Sequence, residues 1–251
     1  MISKNQIKQV KALHLKKFRD EEKLFIAEGI KVVNEIINTN PDIIHQLFVT
    51  ESYLQGKSNA LQNNKVQYIT ITEEDLKKIS TQSQPNNALA VCHYFEEKEA
   101  EIDLTKQFSF YLDDIRDPGN LGTIIRMADW FGIKEIFCSK QSTDVYNPKT
   151  IQSAMGSFLR VKVHYCDLED AVKKDIPVYG AVLNGENIYK TKLQNGLIII
   201  GNEANGISEK NLKAITHPIT IPASENSSTE SLNAAMATAI ICSEFFRQLN
   251  K

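Results

Sequence analysis

Residues 108–132, "FSFYLDDIRDPGNLGTIIRMADWFG", contain in order a strand, a polar loop and a helix. The apolar run from Phe108 predicts a buried strand, and the residues that follow Gly119 have the apolar spacing of a helix. Pro118 and Gly119 predict the turn between them, with Asn120 as the N-cap of the helix. A strand, a short loop and a helix together form the repeating unit of a parallel sheet.

The same unit recurs along the chain after this stretch. Further apolar strands separated by helical segments are predicted at "KEIFCSK", "VKVHYCD", "PVYGAVLN", "GLIIIGNE" and "ITIP". A closing helix is predicted over residues 231–249. The pattern predicts an α/β fold with a mostly parallel sheet covered on both faces, in which ligands bind beyond the carboxyl ends of the strands.

A smaller α/β domain is predicted before this one. In residues 1–95, "KLFIAEG" (23–29) predicts a strand and residues 30–40 predict a helix, and the alternation ends at "NALAVCHYF". The charged run "EEKEAEIDLTK" (96–106) predicts a linker. The predicted domains are therefore residues 1–95 and 107–251.

Composition indicates a cytoplasmic globular protein with no membrane-spanning segment. The 251 residues are 42% hydrophobic and 24% charged, and no apolar run approaches the roughly 18 residues needed to cross a bilayer. The N-terminal residues contain no apolar signal core. The four cysteines are far apart and do not cluster with the five histidines, so we expect reduced thiols and no metal site.

Basic charge is concentrated at the N-terminus although the net charge is −2. Residues 1–19 carry six cations and no acid: Lys4, Lys8, Lys11, Lys16, Lys17 and Arg19. The segment is consistent with a solvated amphipathic helix. It is equally consistent with a patch that binds the phosphates of a polyanion.

Three polar loops at strand ends are candidates for a site, and each has a plain structural alternative. Arg126 lies among apolar residues of its helix and either has a chemical task or pairs with Asp113, Asp114 or Asp117. "LIIIGNEANGIS" (197–208) is neither a P-loop nor a dinucleotide fingerprint and could be an ordinary turn. In "IPASENSSTESLNAAMATAI" (221–240), Ser231 is the expected N-cap of a small-sided helix that either packs tightly or holds a ligand at its amino end.

In this order, "DPGNLGTIIRMADWFG", "IIIGNEANGIS" and "IP…SLNAAMATAI" resemble the three motifs of the SpoU (TrmH-like) RNA 2′-O-ribose methyltransferases of the SPOUT superfamily. The resemblance covers about residues 108–248. The preceding unit, through "FIAEGIKVVNEII", resembles the small L30-like substrate-binding domain of that family. The resemblance implies a trefoil-knotted catalytic domain, a homodimer, and S-adenosyl-L-methionine as cofactor. A knot would be a rare exception to the rule against threading.

The resemblance also assigns residues to roles. The catalytic positions fall on Asn120, Arg126, Glu203, Ser231 and Asn233. The cofactor-binding positions fall on Ala181, Leu183, Gly201, Asn202, Ile221 and Leu232. The loop between Pro222 and Ser231 is longer than the family pattern and lacks glycine, which affects the expected loop conformation and RNA selectivity.

The function implied is S-adenosylmethionine-dependent 2′-O-methylation of structured RNA, with ribosomal RNA favoured because of the added N-terminal domain. Three alternatives remain open at this point: a tRNA methyltransferase, a non-catalytic RNA- or ribosome-binding protein with the same fold, and a Rossmann-type nucleotide enzyme. The last lacks its glycine fingerprint.

Overall fold

The computed structural model describes residues 2–55, 61, 64, 66–96, 99–172 and 175–249. By its internal contacts the chain divides into two units, Met1–Glu97 with Asp144–Leu159, and Lys98–Thr143 with Arg160–Lys251. Residues 97 and 98 of the predicted linker lie outside the described residues. The sequence pattern places residues 144–159 in the second domain, whereas their contacts group them with the first unit.

The first unit is built on a four-stranded sheet of order β1-β4-β2-β3. The strands are β1 (Leu24–Glu28), β2 (Ile44–Val49), β3 (Ile69–Thr70) and β4 (Ala88–His93). Strand β4 is antiparallel to β1 and β2, and β3 is parallel to β2. The helices of this unit include α1 (Lys4–Ala12), α2 (Lys16–Glu22), α3 (Ile30–Thr39) and α4 (Glu73–Ile79).

The predicted basic segment forms two helices rather than one. Ser3 starts α1 with a capping box, in which its hydroxyl accepts the N–H of Gln6 and the Gln6 side chain accepts the N–H of Ser3. Val10 and Leu13 anchor the segment in a buried cluster with side chains of α4 and the sheet. The lysines of α1 and α2 are exposed, as on a solvated amphipathic surface.

The second unit contains a six-stranded sheet of order β10-β8-β9-β5-β6-β7, and every pairing described in it is parallel. Its strands are β5 (Ser109–Leu112), β6 (Glu135–Cys138), β7 (Lys162–Tyr165), β8 (Val178–Asn187), β9 (Leu197–Ile200) and β10 (His217–Thr220). Its helices are α5 (Pro118–Trp130), α7 (Leu168–Ala171), α8 (Glu209–Leu212) and α9 (Ala234–Leu249), while α6 (Pro148–Ala154) belongs to the first unit. The predicted parallel α/β sheet is confirmed.

The sheet core is formed by strands that are buried along their full length. All four residues of β5, β6 and β9 are buried, as expected for central parallel strands with cover on both faces. Part of the predicted linker joins this core, because Leu104 is buried and Ile102 packs against the same cluster. The carboxylate of Glu135 accepts the backbone N–H groups of Glu101 and Ile102, at 3.0 and 3.1 Å.

Segment 144–159 is fixed in the first unit by a buried ion pair and by aromatic packing. Arg19, only 1% exposed, donates to Asp144 at 3.0 Å and to the carbonyls of Leu13 and His14. Tyr146 stacks on Tyr94 with ring centroids 3.7 Å apart. Arg19 therefore does not belong to the exposed basic patch in which the sequence places it: its charge is buried and its guanidinium is used within the fold.

Candidate active site

Three polar loops leave the carboxyl ends of strands that are close together in the sheet. Residues 113–117 follow β5, residues 201–208 follow its neighbour β9, and residues 221–233 follow β10 at the edge. This edge is where parallel α/β sheets bind ligands. All the sequence-predicted site residues lie in these loops, in β8 or in α5.

Side-chain hydrogen bonds fix the backbone of the loop after β5 at its start and at its end. The hydroxyls of Ser139 and Ser142 accept the N–H groups of Asp114 and Ile115, at 2.9 and 3.0 Å. Asp114 has a left-handed backbone with φ 57°, a conformation that Asp and Asn tolerate better than most residues. Asp117 accepts the N–H of Asn120 at 2.9 Å.

Helix α5 begins at Pro118, so its N-cap is Asp117 and the expectation that Asn120 caps it is wrong. An aspartate before a proline at the first helical position is the usual start of a helix. As a result the side chain of Asn120 is free to point to other loops instead of closing its own helix.

The loop after β9 closes on itself around Asn202, which is 9% exposed. Its side-chain Oδ1 accepts the N–H of Ala204 at 2.8 Å, and its Nδ2 donates to the carbonyl of Asp114 at 2.8 Å. Its backbone exchanges two hydrogen bonds with Gly206. A Cβ at Gly201 would lie 2.3 Å from the carbonyl carbon of Gly206, so only glycine permits this closure.

The loop after β10 ends at Asn233. The predicted closing helix starts at Ala234, so the expectation that Ser231 is its N-cap is wrong. The Oδ1 of Asn233 instead accepts the N–H groups of Ala235 and Met236, at 3.0 and 3.3 Å. Ser231 is exposed and outside the helix.

Asn233, Asn120 and Glu203 form a directed chain of side-chain hydrogen bonds, which we call the relay. Asn233 Nδ2 donates to Asn120 Oδ1 at 2.9 Å, and Asn120 Nδ2 donates to Glu203 Oε1. An ionised carboxylate only accepts hydrogen bonds, so Glu203 fixes which way the Asn120 amide points. The relay brings together three of the five predicted catalytic residues, one from each loop region.

Arg126 is exposed on α5, and no hydrogen bond or ion pair joins it to the residues that the structure describes. The aspartates proposed as its partners have other roles: Asp113 accepts the N–H of Ser208 at 2.8 Å, Asp114 pairs with Arg116, and Asp117 caps the helix. The pairing alternative for Arg126 is therefore wrong. Its guanidinium is available to a ligand.

The predicted cofactor residues include apolar side chains left in solvent. Leu183 is 74% exposed and Leu232 is 46% exposed, while Ala181 and Ile221 are half-buried. Ala181 and Leu183 lie where β8 loses its pairing, because β10 pairs with β8 at Gly180 and then only from Glu186. The intervening residues form an irregular excursion beside the carboxyl ends of β9 and β10.

Sequence reasoning missed the residues that hold the loops. Asp113 is 4% exposed and joins the end of β5 to the loop after β9, and Asp117 caps α5, whereas the sequence suggested both only as partners for Arg126. The Asp-Pro pair before the helix was the signal for Asp117. No local pattern marks Asp113, whose partner is 95 residues away.

Other chemistry is sparse in the described part of the chain. No group of three or more His, Cys, Asp or Glu side chains that could hold a metal occurs among the described residues. None of the four cysteines forms a disulfide within the described residues, and burial raises the pKa of Cys242 to about 12. None of the described helices is long and apolar enough to span a membrane.

Comparison with known proteins identifies the family of this site. The model of the SpoU rRNA Methylase family matches residues 107–243, which include all three loops. The chain belongs to the SpoU family. Residues 4–90 match the MRM3-like substrate binding domain.

SpoU-family relatives match along nearly the whole chain. It is 31% identical to the 23S rRNA (guanosine(2553)-2′-O)-methyltransferase RlmP of Bacillus subtilis, over 95% of both chains. A TrmH-family protein from Porphyromonas gingivalis has a solved structure with TM-score 0.85 and 37% identity, covering 99% of both chains. An rRNA methyltransferase from Sinorhizobium meliloti, solved with AdoMet bound, has TM-score 0.85 and 25% identity, covering 99% of this chain and 97% of the other.

Proposed function

We propose that this chain is an S-adenosylmethionine-dependent methyltransferase that modifies a ribose 2′-hydroxyl of ribosomal RNA. The observation that carries the proposal is the relay, which assembles Asn120, Glu203 and Asn233 at the carboxyl edge of the sheet with an unpaired Arg126 on the same helix as Asn120. The whole-length likeness to RlmP, an rRNA 2′-O-methyltransferase, supports the RNA class. Cytoplasmic localisation stays a prediction from the sequence.

The residues at this edge suit the cofactor. Exposed Leu183 and Leu232, with half-buried Ile221, offer an apolar surface to an adenosyl group. Gly201 and Asn202 keep the backbone of the neighbouring loop closed, and we assign Asn202 a role through that loop shape. S-adenosylmethionine, when bound, supplies a methyl group that its sulfonium has already activated.

The residues of the chain then have to align the ribose oxygen and stabilise its developing charge. A guanidinium already carries its proton and is a very poor base, so Arg126 is suited to stabilise alkoxide charge rather than to remove a proton. Asn233 donates to the Asn120 amide and Glu203 accepts from it, so the relay fixes the direction of the Asn120 side chain. Ser231, exposed beside Leu232, is free to donate to the same ligands.

The first unit is proposed to bind the RNA. Lys11, Lys16 and Lys17 are exposed around the turn between α1 and α2, and Leu15 in that turn is 61% exposed. Lysines bind phosphates without reading sequence, so this surface would supply affinity and salt dependence. The match of residues 4–90 to a substrate-binding domain supports this role.

A homodimer and a trefoil knot are proposed for the second unit. Three large apolar side chains of α5 and α9 are exposed, and a second copy would cover them: Trp130 (86%), Met236 (58%) and Phe246 (40%). Residues 222–233 run from β10 at the sheet edge to the start of α5 above β5, which supports a chain that crosses β8 and β9. Sedimentation should show a dimer that Trp130→Glu dissociates and Leu212→Glu leaves intact; a wild-type monomer would refute the dimer.

The function is tested by methyl transfer from labelled S-adenosylmethionine to purified rRNA and tRNA transcripts. A 2′-O-methylated ribose cannot take part in alkaline cleavage, so label in rRNA should remain in alkali-resistant dinucleotides. Label in tRNA alone would establish the tRNA alternative. No transfer to either RNA, together with no calorimetric binding of the cofactor, would establish the non-catalytic alternative.

A further inference from the structure

Arg116 is an exposed cation that the proposed mechanism does not use, on the loop that leads into α5, the helix that carries the relay residue Asn120. It lies between β5 and α5, four residues before Asn120, and its side chain is 70% exposed. Exposed arginines are normally mobile, but Arg116 is held at two points by the carboxylate of Asp114, an arrangement that we call the fork. Its Nε donates to Asp114 Oδ1 at 3.0 Å, and a terminal nitrogen lies 2.9 Å from Asp114 Oδ2 as an ion pair.

The backbone that carries this fork is fixed as well. Ser139 accepts the N–H of Asp114, Ser142 accepts the N–H of Ile115, and the carbonyl of Asp114 accepts from Asn202. Ile115 is completely buried. The guanidinium therefore has a defined position at the carboxyl edge of the sheet, tied through Asn202 to the loop that carries Glu203.

Stability does not explain why the fork is there. An exposed ion pair adds little to folding, because water screens the charges and both side chains lose freedom. The backbone bonds that fix the loop come from Ser139, Ser142 and Asn202 and do not need Arg116. A guanidinium has five N–H groups, so one hydrogen bond and one ion-pair contact with Asp114 leave several N–H groups facing solvent.

We infer that Arg116 is a substrate-binding residue that binds an RNA phosphate beside the target ribose. This inference rests on the proposed function, since it supplies the substrate class. A planar guanidinium held by a carboxylate on one side presents its remaining donors in the geometry that phosphate oxygens accept. Asp114 acts as the positioning residue, because it holds the fork in that orientation.

The matched control is Arg247, which forms the same kind of fork with Glu244 in α9, at 2.8 and 2.6 Å, and is 62% exposed. It lies in the carboxyl-terminal part of α9, away from the start of the helix where Asn233 joins the relay. If any exposed arginine fork contributed to RNA binding through net charge alone, Arg116→Gln and Arg247→Gln would behave alike.

The test is filter binding of an unmodified 23S rRNA transcript over a four-fold range of salt, for wild type, Arg116→Gln and Arg247→Gln. Loss of one phosphate contact lowers the salt slope by about 0.7–0.9, so wild type should lose about three-fold more affinity across this range than Arg116→Gln. Arg247→Gln should match wild type. Arg116→Lys keeps the cation without the fork and should keep the slope while raising the Kd for RNA about ten-fold.

The double variant Asp114→Asn with Arg116→Gln tests whether Arg116 contacts the phosphate itself or only neutralises the charge of Asp114, which would otherwise repel the RNA. Asn tolerates the left-handed backbone at position 114, so the loop is preserved. If Arg116 contacts phosphate, the double variant keeps the reduced slope. Recovery of wild-type affinity and slope, or a slope for Arg116→Gln equal to that of Arg247→Gln, overturns the inference. Binding is measured without turnover, so failure of wild type to methylate rRNA would refute the proposed function separately.

Discussion

Asn233 has two separable functions, and replacing it by Asp or by Ala distinguishes them. Its Oδ1 caps α9 by accepting two backbone N–H groups, and its Nδ2 donates to Asn120. Asp keeps the capping oxygen and loses the donor, whereas Ala loses both. We expect Asn233→Asp to fold with wild-type stability and to lose activity, and Asn233→Ala to lose both.

The magnitudes follow from these contacts. Loss of the cap in Asn233→Ala should cost about 1 kcal/mol, which lowers Tm by roughly 2–4 °C for a protein of this size. In Asn233→Asp a carboxylate faces Asn120 Oδ1, so the amide either stays and is repelled or turns and loses its bond to Glu203. One bond to a charged group is then lost, worth about 1.5–3 kcal/mol, and kcat should fall about ten- to a hundred-fold.

Both quantities are measurable on the same preparations. Thermal unfolding reports the cap, and single-turnover methyl transfer to rRNA with saturating cofactor reports the relay. Asn233→Asp with wild-type turnover would show that the relay is not needed for catalysis. Equal Tm losses in the Asp and Ala variants would show that Asn233 does not cap α9.

Three further predictions concern residues away from the relay. Arg126→Lys should lower kcat about 100-fold with RNA affinity within a few-fold of wild type, measured by turnover and filter binding, since a lysine cannot present a planar fork to the developing charge; near-full turnover would remove the bidentate role. Replacing the exposed Lys11, Lys16 and Lys17 by Ala should weaken RNA binding and flatten its salt dependence. An RNA affinity that is unchanged across a salt series would exclude this patch from RNA binding. Asp144→Ala leaves the buried charge of Arg19 without its partner and should cost about 3–5 kcal/mol in denaturant unfolding, while Glu21→Ala, which breaks an exposed 3.9 Å pair, should change it by under about 1 kcal/mol.

The architecture of the second unit could be predicted from sequence because it depends on local apolar runs. Central parallel strands are buried on both faces, so β5, β6 and β9 appear as continuous hydrophobic segments. Helix starts were less predictable. Asn120 and Ser231 are both acceptable caps by residue type, but the helices start at Pro118 and Ala234 because the side chains of Asp117 and Asn233 accept the first backbone N–H groups.

The pairing within the site could not be predicted from local pattern. Asn120 is 113 residues from Asn233 and 83 residues from Glu203, so the relay exists only because the sheet order brings three loops to one edge. The burial of Arg19 has the same origin, since its partner Asp144 is 125 residues away. Charge runs in a sequence show where cations lie but not which of them the fold uses internally.

The loop that precedes Asn233 is longer than its path requires. Three strand positions separate β10 from β5, and a direct crossing of about 14 Å needs about four extended residues. Residues 222–232 provide more than twice that length, and all of them are exposed. Neither the reach of the chain nor burial within it explains the extra residues, which are mainly polar. Because the relay fixes only the end of the loop at Asn233, residues 223–230 can differ among family members without disturbing the proposed catalytic groups, and RNA selectivity is the property that such a loop can change.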